Sequence, residues 1–489
     1  MRIFIFIFFI STNLYASFDM NESMRKTYTH IINLELNDAK KILNNERREN
    51  PNNGIIILNQ NYLDFVNVIV LDDFTYYKKL LKEKSRIIKS LKEIDNTSPY
   101  YLFVQSEIHL QFAFMQLKFN NYTLAIFDFI QAYKLLLENK KNHPEFILNN
   151  KGLGLINILL GVIPEKYKWI LKLTRFEGDV EKGMQQLDSL INNPQTYIYR
   201  TELLFLISTL NLTILDNIDL CRKYLKEIGG DYETNYLLNF IAARIYYKLG
   251  ENDNCINVLE NRPNTKGKIS FPYLDYLLAK SKLYKLEYGN AKTHFKYYLK
   301  ESKSINFIKS TYQNLACISY LQEDDQQTKF YLNQVLLLGS LNTEEDKKAN
   351  RDAERQIFSH PVLLEARLLY DGGYYKKALD RIEKSKPSNF SNTHDTVEYW
   401  YRKARILQAL KESENLIKLC FQKSYNFGKD FKTSYFAPMS ALQLALLYEE
   451  NGDLKNATLY YQKCLKIKDF DYQRDIHYKA NLGLKRVSY

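Results

Sequence analysis

Seven histidines, five cysteines and a few adjacent carboxylates are the side chains best equipped for chemistry in this sequence. Their spacing gives them little to do. His30, His109, His143, His294, His360, His394 and His477 form no HExxH, no HxH and no Cys/His ligand set. Cys221, Cys255, Cys317, Cys420 and Cys464 are odd in number, widely separated and lack a CxxC pair. That suits neither a disulfide framework nor a zinc site, and free, buried thiols are expected. Asp324-Asp325 and Glu449-Glu450 sit side by side, but helix neighbours point ~100° apart, which suits solvated faces rather than an acid–base pair. There is no GxSxG elbow and no Walker-type loop. The Gly-x-Gly at Gly152 and Gly154 lacks a third glycine and a preceding strand, so it is no dinucleotide fingerprint. The expectation is a protein that is not an enzyme, with no catalytic residue, no cofactor and no metal.

Binding is the better use of what remains. Ala243, Ala366 and Ala404 are each followed directly by arginine, at Arg244, Arg367 and Arg405. Tyr247, Tyr320 and Tyr370 recur at one common later position. A guanidinium takes carboxylate as a fork, and a tyrosine ring offers flat apolar area with one polar tip. Arg beside Tyr therefore suits a partly apolar, acidic chain.

The elements that must position these residues are helices. Only 17 Gly and 10 Pro occur in 489 residues, roughly half the usual share. A barrel or sandwich needs a turn every ~8–12 residues and is excluded. No alternating run is long enough for a sheet. At 45% hydrophobic and 25% charged, the chain is not disordered. Self-similarity then gives the organisation. The clearest unit is ALQLALLYEENGDLKNATLYYQKCLKIKD, residues 441–469. Leu444, Ala445 and Tyr448 mark a first helix, Asn451-Gly452-Asp453 breaks it, and Leu454, Ala457, Tyr461, Cys464 and Leu465 stripe a second. The small first-helix residue recurs at Ala243, Ala279, Ala316, Ala366, Ala404 and Ala445, and next falls at Gly483. One step, 316 to 366, is too long, and it contains Thr343-Glu344-Glu345-Asp346, a helix start followed by mixed charge.

This pattern of small, aromatic and Gly-Asp positions resembles the tetratricopeptide repeat. Segments such as SPYYLFVQSEIHLQFAF and LLYDGGYYKKALDRI look further like those of uncharacterised secreted or periplasmic repeat proteins of Bacteroidetes-type bacteria. The resemblance implies an all-α, right-handed α-solenoid of about nine to eleven helix pairs with a C-terminal capping helix. Read along its length, the chain divides into a signal peptide 1–16, N-terminal helical repeats 17–148, central repeats 149–336 with a Gly-rich entry segment, an exposed helical linker 337–359, and C-terminal repeats with the capping helix 360–489. In such arrays first helices line a concave groove. Counting from the small anchors, that groove should present Phe240, Arg244, Tyr247, Tyr273, Tyr276, Lys280, Tyr320, Arg367, Tyr370, Tyr401 and Arg405 to a protein or peptide partner, an acidic one. The Lys and Asn set of chaperone-binding carboxylate clamps is not matched, so capture of a chain terminus is not implied. The rival reading is a cell-envelope glycan binder.

MRIFIFIFFISTNLYA has the grammar of a cleavable secretory signal: Arg2, an apolar run Ile3 to Ile10, and Ala16 before the cut. Eight helical residues rise ~12 Å against a ~30 Å hydrocarbon core, too little for an anchor. The run Leu153 to Ile163 carries Asn157 and is also too short. A periplasmic or secreted protein is expected, with no transmembrane segment in the mature chain and no nucleic-acid partner. The net charge of +12 comes without a block of five like charges and reads as a generally basic surface.

Overall fold

The computed structural model describes residues 17–94, 96–163, 177–356, 358–431 and 434–487. The signal segment 1–16 and Tyr167-Lys168-Trp169 lie outside the described residues. Among those described, 24 α-helices follow one another with three short 3-10 turns and no β-strand. The expected nine to eleven pairs are too few. Helices without small anchors fill their contacts with large side chains instead: Ile55–Leu71 buries Ile55, Ile56, Leu58, Leu63, Val66, Val68 and Val70. None of the described helices is long and apolar enough to cross a membrane.

Local chemistry sets where helices start. Asn21, Asp73, Asp179, Asn217, Asp324, Thr343, Asn392 and Asp453 each accept a hydrogen bond from a backbone N–H three residues on. Each such cap is worth roughly 1 kcal/mol.

The chain divides into two compact units. The first comprises the described parts of Met1–Ile245 with Asn257–Asp275 and Tyr298–Asn306. Its helices Tyr100–Lys118 and Tyr122–Asn142 form the best-packed pair, with Ala113, Ala125 and Ala132 fully buried between them. The Gly-rich segment is a core helix, Asn149–Gly161. A Cβ on Gly154 would stand 2.8 Å from the carbonyl oxygen of Gly183, so the helix crosses Val180–Ile191 backbone to backbone. This unit also encloses an ionic centre. The Lys151 ammonium meets Glu107 at 2.7 Å and Glu202 at 3.0 Å. Tyr62 donates to Glu107 at 2.6 Å and Tyr28 to Glu202 at 2.5 Å.

The second unit comprises Tyr246–Ile256, Tyr276–Tyr297 and Phe307–Tyr489. Here helices pack mainly on the next one and the one after, the order of a stacked repeat array. The small anchors Ala279, Ala316, Ala366, Ala404 and Ala445 are all 0% exposed. Gly373, at φ +79°, brings its turn against the turn of Gly250; a Cβ there would stand 1.9 Å from the Gly250 carbonyl oxygen. The last helix, Gln473–Val487, seats Gly483 on the ring of Tyr461, where a Cβ would stand 2.1 Å from it.

Segment 337–359, expected as an exposed linker, does carry a helix, Glu344–Arg355, but one face of it is core. Ala349 and Ala353 are buried, and it packs on Ile308–Leu321. Asp346 is 0% exposed; its carboxylate accepts from the N–H of Phe307 at 2.6 Å and of Ser310 at 2.9 Å, satisfying orphan donors at that helix's start. All five cysteines are free and buried.

Candidate binding cavity

Two helices of the second unit carry the arginines and tyrosines that the repeat register singles out. Pro361–Asp371 begins with Pro at its first turn, points Leu363, Ala366 and Leu369 into the core, and so turns Arg367 and Tyr370 to the adjoining face. Thr393–Ala409 buries Ala404 and carries Tyr401 and Arg405 one turn apart. All four line a cavity of about 740 Å³. Arg405 Nη2 donates to the Tyr370 hydroxyl at 2.9 Å, and its guanidinium lies 5.7 Å from the centre of that ring. Tyr401 packs on Tyr435 and Phe436, which line the same cavity.

The cavity wall holds further charge that the sequence did not single out. Arg402 is ion-paired to Glu398, which is fully buried and also accepts from the Ser359 hydroxyl at 2.9 Å. Arg355 grips Asp471 at 2.5 and 3.0 Å. Lys348 reaches in from Glu344–Arg355 with Asp352 at 3.7 Å. The positive charge of Arg367 beside it pulls the Lys348 ammonium below its ordinary pKa. His394, Asp395 and Glu398 are the residues that could hold a metal, with one ligand atom each inside 4.8 Å. Two of them already have partners, although Glu398 keeps Oε2 buried without a hydrogen bond. Arg402 neutralises Glu398, and Asn392 donates to Asp395 at 2.9 Å. The Asp395 carboxylate, 3.9 Å from its Nδ1, raises the His394 imidazole pKa despite burial. This is the chemistry of an ion-pair network.

The other expected groove residues divide. Lys280 lines the cavity and lies 5.2 Å from the ring of Tyr247 and 5.9 Å from that of Tyr284. Tyr247 and Tyr284 stack and share a 2.7 Å hydroxyl contact. Tyr320 stacks on Phe358, itself a lining residue, at 4.6 Å. Tyr276 is a correction: at 1% exposure it is core, packed on Phe295 and Phe307 with its hydroxyl 2.7 Å from Ser310 Oγ. Phe240, Arg244 and Tyr273 belong to the first unit. There Phe240 stacks on Phe271 at 5.5 Å and Arg244 covers the Phe240 ring. Arg244 is thus in a different compact unit from Arg367 and Arg405, and the cavity brings together only the latter two.

Sequence comparison matches the Iml2/Tetratricopeptide repeat protein 39 family over residues 74–360, and a tetratricopeptide repeat over 440–471. Among solved structures, a human IFIT1 dimer with PPP-AAAA is similar over 92% of this chain and 95% of that one, at 12% identity and a TM-score of 0.33. The P58(IPK) TPR domain is similar over 85% of this chain and 98% of that one, at 14% identity and a TM-score of 0.21.

Proposed function

The chain belongs to the Iml2/Tetratricopeptide repeat protein 39 family, and from that premise we propose that it is a non-enzymatic scaffold holding a protein or peptide partner on its repeat helices. The partner is acidic and partly apolar, and the chain works outside the cytoplasm after loss of its first 16 or so residues. One observation carries the binding reading: Arg367, Tyr370, Tyr401 and Arg405 share one cavity. Guanidinium forks beside tyrosine faces are the groups that recognise carboxylate-bearing apolar chains.

The test is retention of partner from envelope extract by the wild type and by the double variant Arg367→Gln/Arg405→Gln at matched ionic strength. Selective loss in the variant supports the reading, and equal retention sinks it. Retention abolished by glycosidase treatment of the extract transfers the site to a cell-envelope glycan. Export has its own measurement. Intact mass of the native protein should place the mature start at or near Ser17, and a retained Met1 overturns it.

A further inference from the structure

The cations of the cavity are not all spent. Arg355 and Arg402 each have a carboxylate in contact, Asp471 and Glu398. Among the described residues Arg367 has no ion pair and no hydrogen bond, although it is half-buried and lines the cavity. Arg405 uses one nitrogen on Tyr370 and keeps Nε buried without a partner. Lys348 has Asp352 at 3.7 Å and the charge of Asp371 farther off. Unsatisfied donors and like charges facing one void are costly unless something compensates them.

We propose that the cavity holds a single oxyanion, a carboxylate or phosphate group, between Arg367, Arg405 and Lys348, with the helix Glu344–Arg355 present to supply the third cation. This deepens the partner-binding reading and rests on it for the source of the anion. The two guanidiniums offer forks to paired oxygens, and the ammonium adds a point charge. The lining also sets the size of the ligand. Six carboxylates stand on the same wall, and Glu345 and Asp371 among them are exposed. An extended polyanion meets them; one compact anionic group at Arg367 does not.

The test is calorimetric titration of the full chain with inorganic phosphate at low ionic strength, then with a blocked peptide carrying a single Glu among Leu and Ser residues. Phosphate should bind at one saturable site, weakened at least tenfold by Arg367→Gln and by Lys348→Gln, and less than twofold by Lys376→Gln on an exposed face outside the cavity. The Lys348 side chain is 48% exposed, so its variant folds and carries the test even where Arg367→Gln does not. Displacement of phosphate by the peptide identifies the anion as a partner's acidic side chain. Phosphate binding that the peptide leaves untouched identifies a free ion, keeps the site and removes the acidic-partner reading. Absence of saturable phosphate binding, or an equal loss in Lys376→Gln, overturns the proposal.

Discussion

The two units each gather basic, acidic and tyrosine side chains, and they end in opposite states. In the first unit Lys151 is 4% exposed and its neighbours Glu107 and Glu202 are themselves held by Tyr62 and Tyr28. The one cation there is answered by two carboxylates in contact, although Glu107 keeps one buried oxygen without a hydrogen bond. In the second unit the pairs Arg402–Glu398 and Arg355–Asp471 are in contact, while Arg367 lines the cavity with no contact ion pair among the described residues and only the longer-range charges of Asp371 and Glu398 to balance it. The same residue types thus make a structural centre where a carboxylate meets each cation, and a receptor where one cation is left over. Completeness of pairing separates the two, not composition.

The comparison breaks first at Lys151. Lys151→Met leaves the buried Glu107 and the part-buried Glu202 without their cation, and removing one partner of a buried pair costs about 3–5 kcal/mol. Arg367→Met, which breaks no contact ion pair, should cost less, on the order of 1 kcal/mol. Urea unfolding of both variants decides it, and equal losses would erase the distinction. Next in size is the affinity effect. Arg367→Gln/Arg405→Gln should weaken partner binding by about 1.5–3 kcal/mol for each charge-assisted hydrogen bond lost, with unchanged stability. Equilibrium titration against partner, beside the urea curve, separates the two quantities.

A framework variant sharpens the contrast from another side. Ala457 is 0% exposed within the cluster of Ala445, Tyr461, Cys464 and Ile476. Ala457→Leu should overpack it at about 1–3 kcal/mol. Hydrogen exchange should rise around residues 436–487 alone, because repeats lean on their neighbours. Loosening that reaches the first unit would contradict a local framework.

The smallest effects are those of pH, and they differ in sign. Burial of Asp128 works upward on its pKa, but His109 and Lys84 outweigh it and hold the carboxyl below its ordinary range. Its stabilisation is present above about pH 4 and is lost as pH falls through the lower folded value. The stability gap between wild type and Asp128→Asn should therefore shrink from about pH 5 to pH 3. The neighbouring Asp395 carboxylate raises the pKa of His394. Its contribution is full below about pH 6 and fades as pH climbs through the raised value, so His394→Asn should matter least at alkaline pH. Chemical denaturation across pH reads both slopes.

The repeat register was legible because it rests on volume. A small residue wherever two helices touch recurs at nearly fixed distance, and Ala279, Ala316, Ala366, Ala404 and Ala445 all proved fully buried. Arg367, Tyr370, Tyr401 and Arg405 followed from that register. Tyr276 did not: like Tyr401 it stands three residues before its anchor and is buried, but Phe295 and Phe307 close over its ring, whereas Tyr401 still lines the cavity. Lys348 was hidden because its helix belongs to no repeat. The pair Glu398 and Arg402 stood in plain view as an i,i+4 ion pair, but helices carry many such pairs. The Lys151 centre joins residues far apart in the chain, such as Lys151 and Glu202 with 51 between their numbers, and no spacing rule reaches that far. Lys418 and Lys463, which repeat position alone makes plain surface charge, lie 4.3 Å over the rings of Tyr448 and Tyr460. They are part of an aromatic ladder.

The five buried cysteines carry a consequence for the life of the chain. Burial pushes the thiols of Cys255 and Cys464 up to about 12 and that of Cys317 up to about 11. Only the thiolate attacks an oxidant or an alkylating agent, and at pH 7 a thiol of pKa 12 offers on the order of 10⁻⁵ of itself in that form. In the oxidising compartment proposed for this chain, each sulfur is therefore at risk only before its helix pair closes, or whenever that pair opens. Folding and oxidation run as a race, and the finished protein keeps the record: a sulfur still reduced marks a repeat that closed in time. Iodoacetamide added to the native protein reads the same events afterwards, one opening for each sulfur it finds.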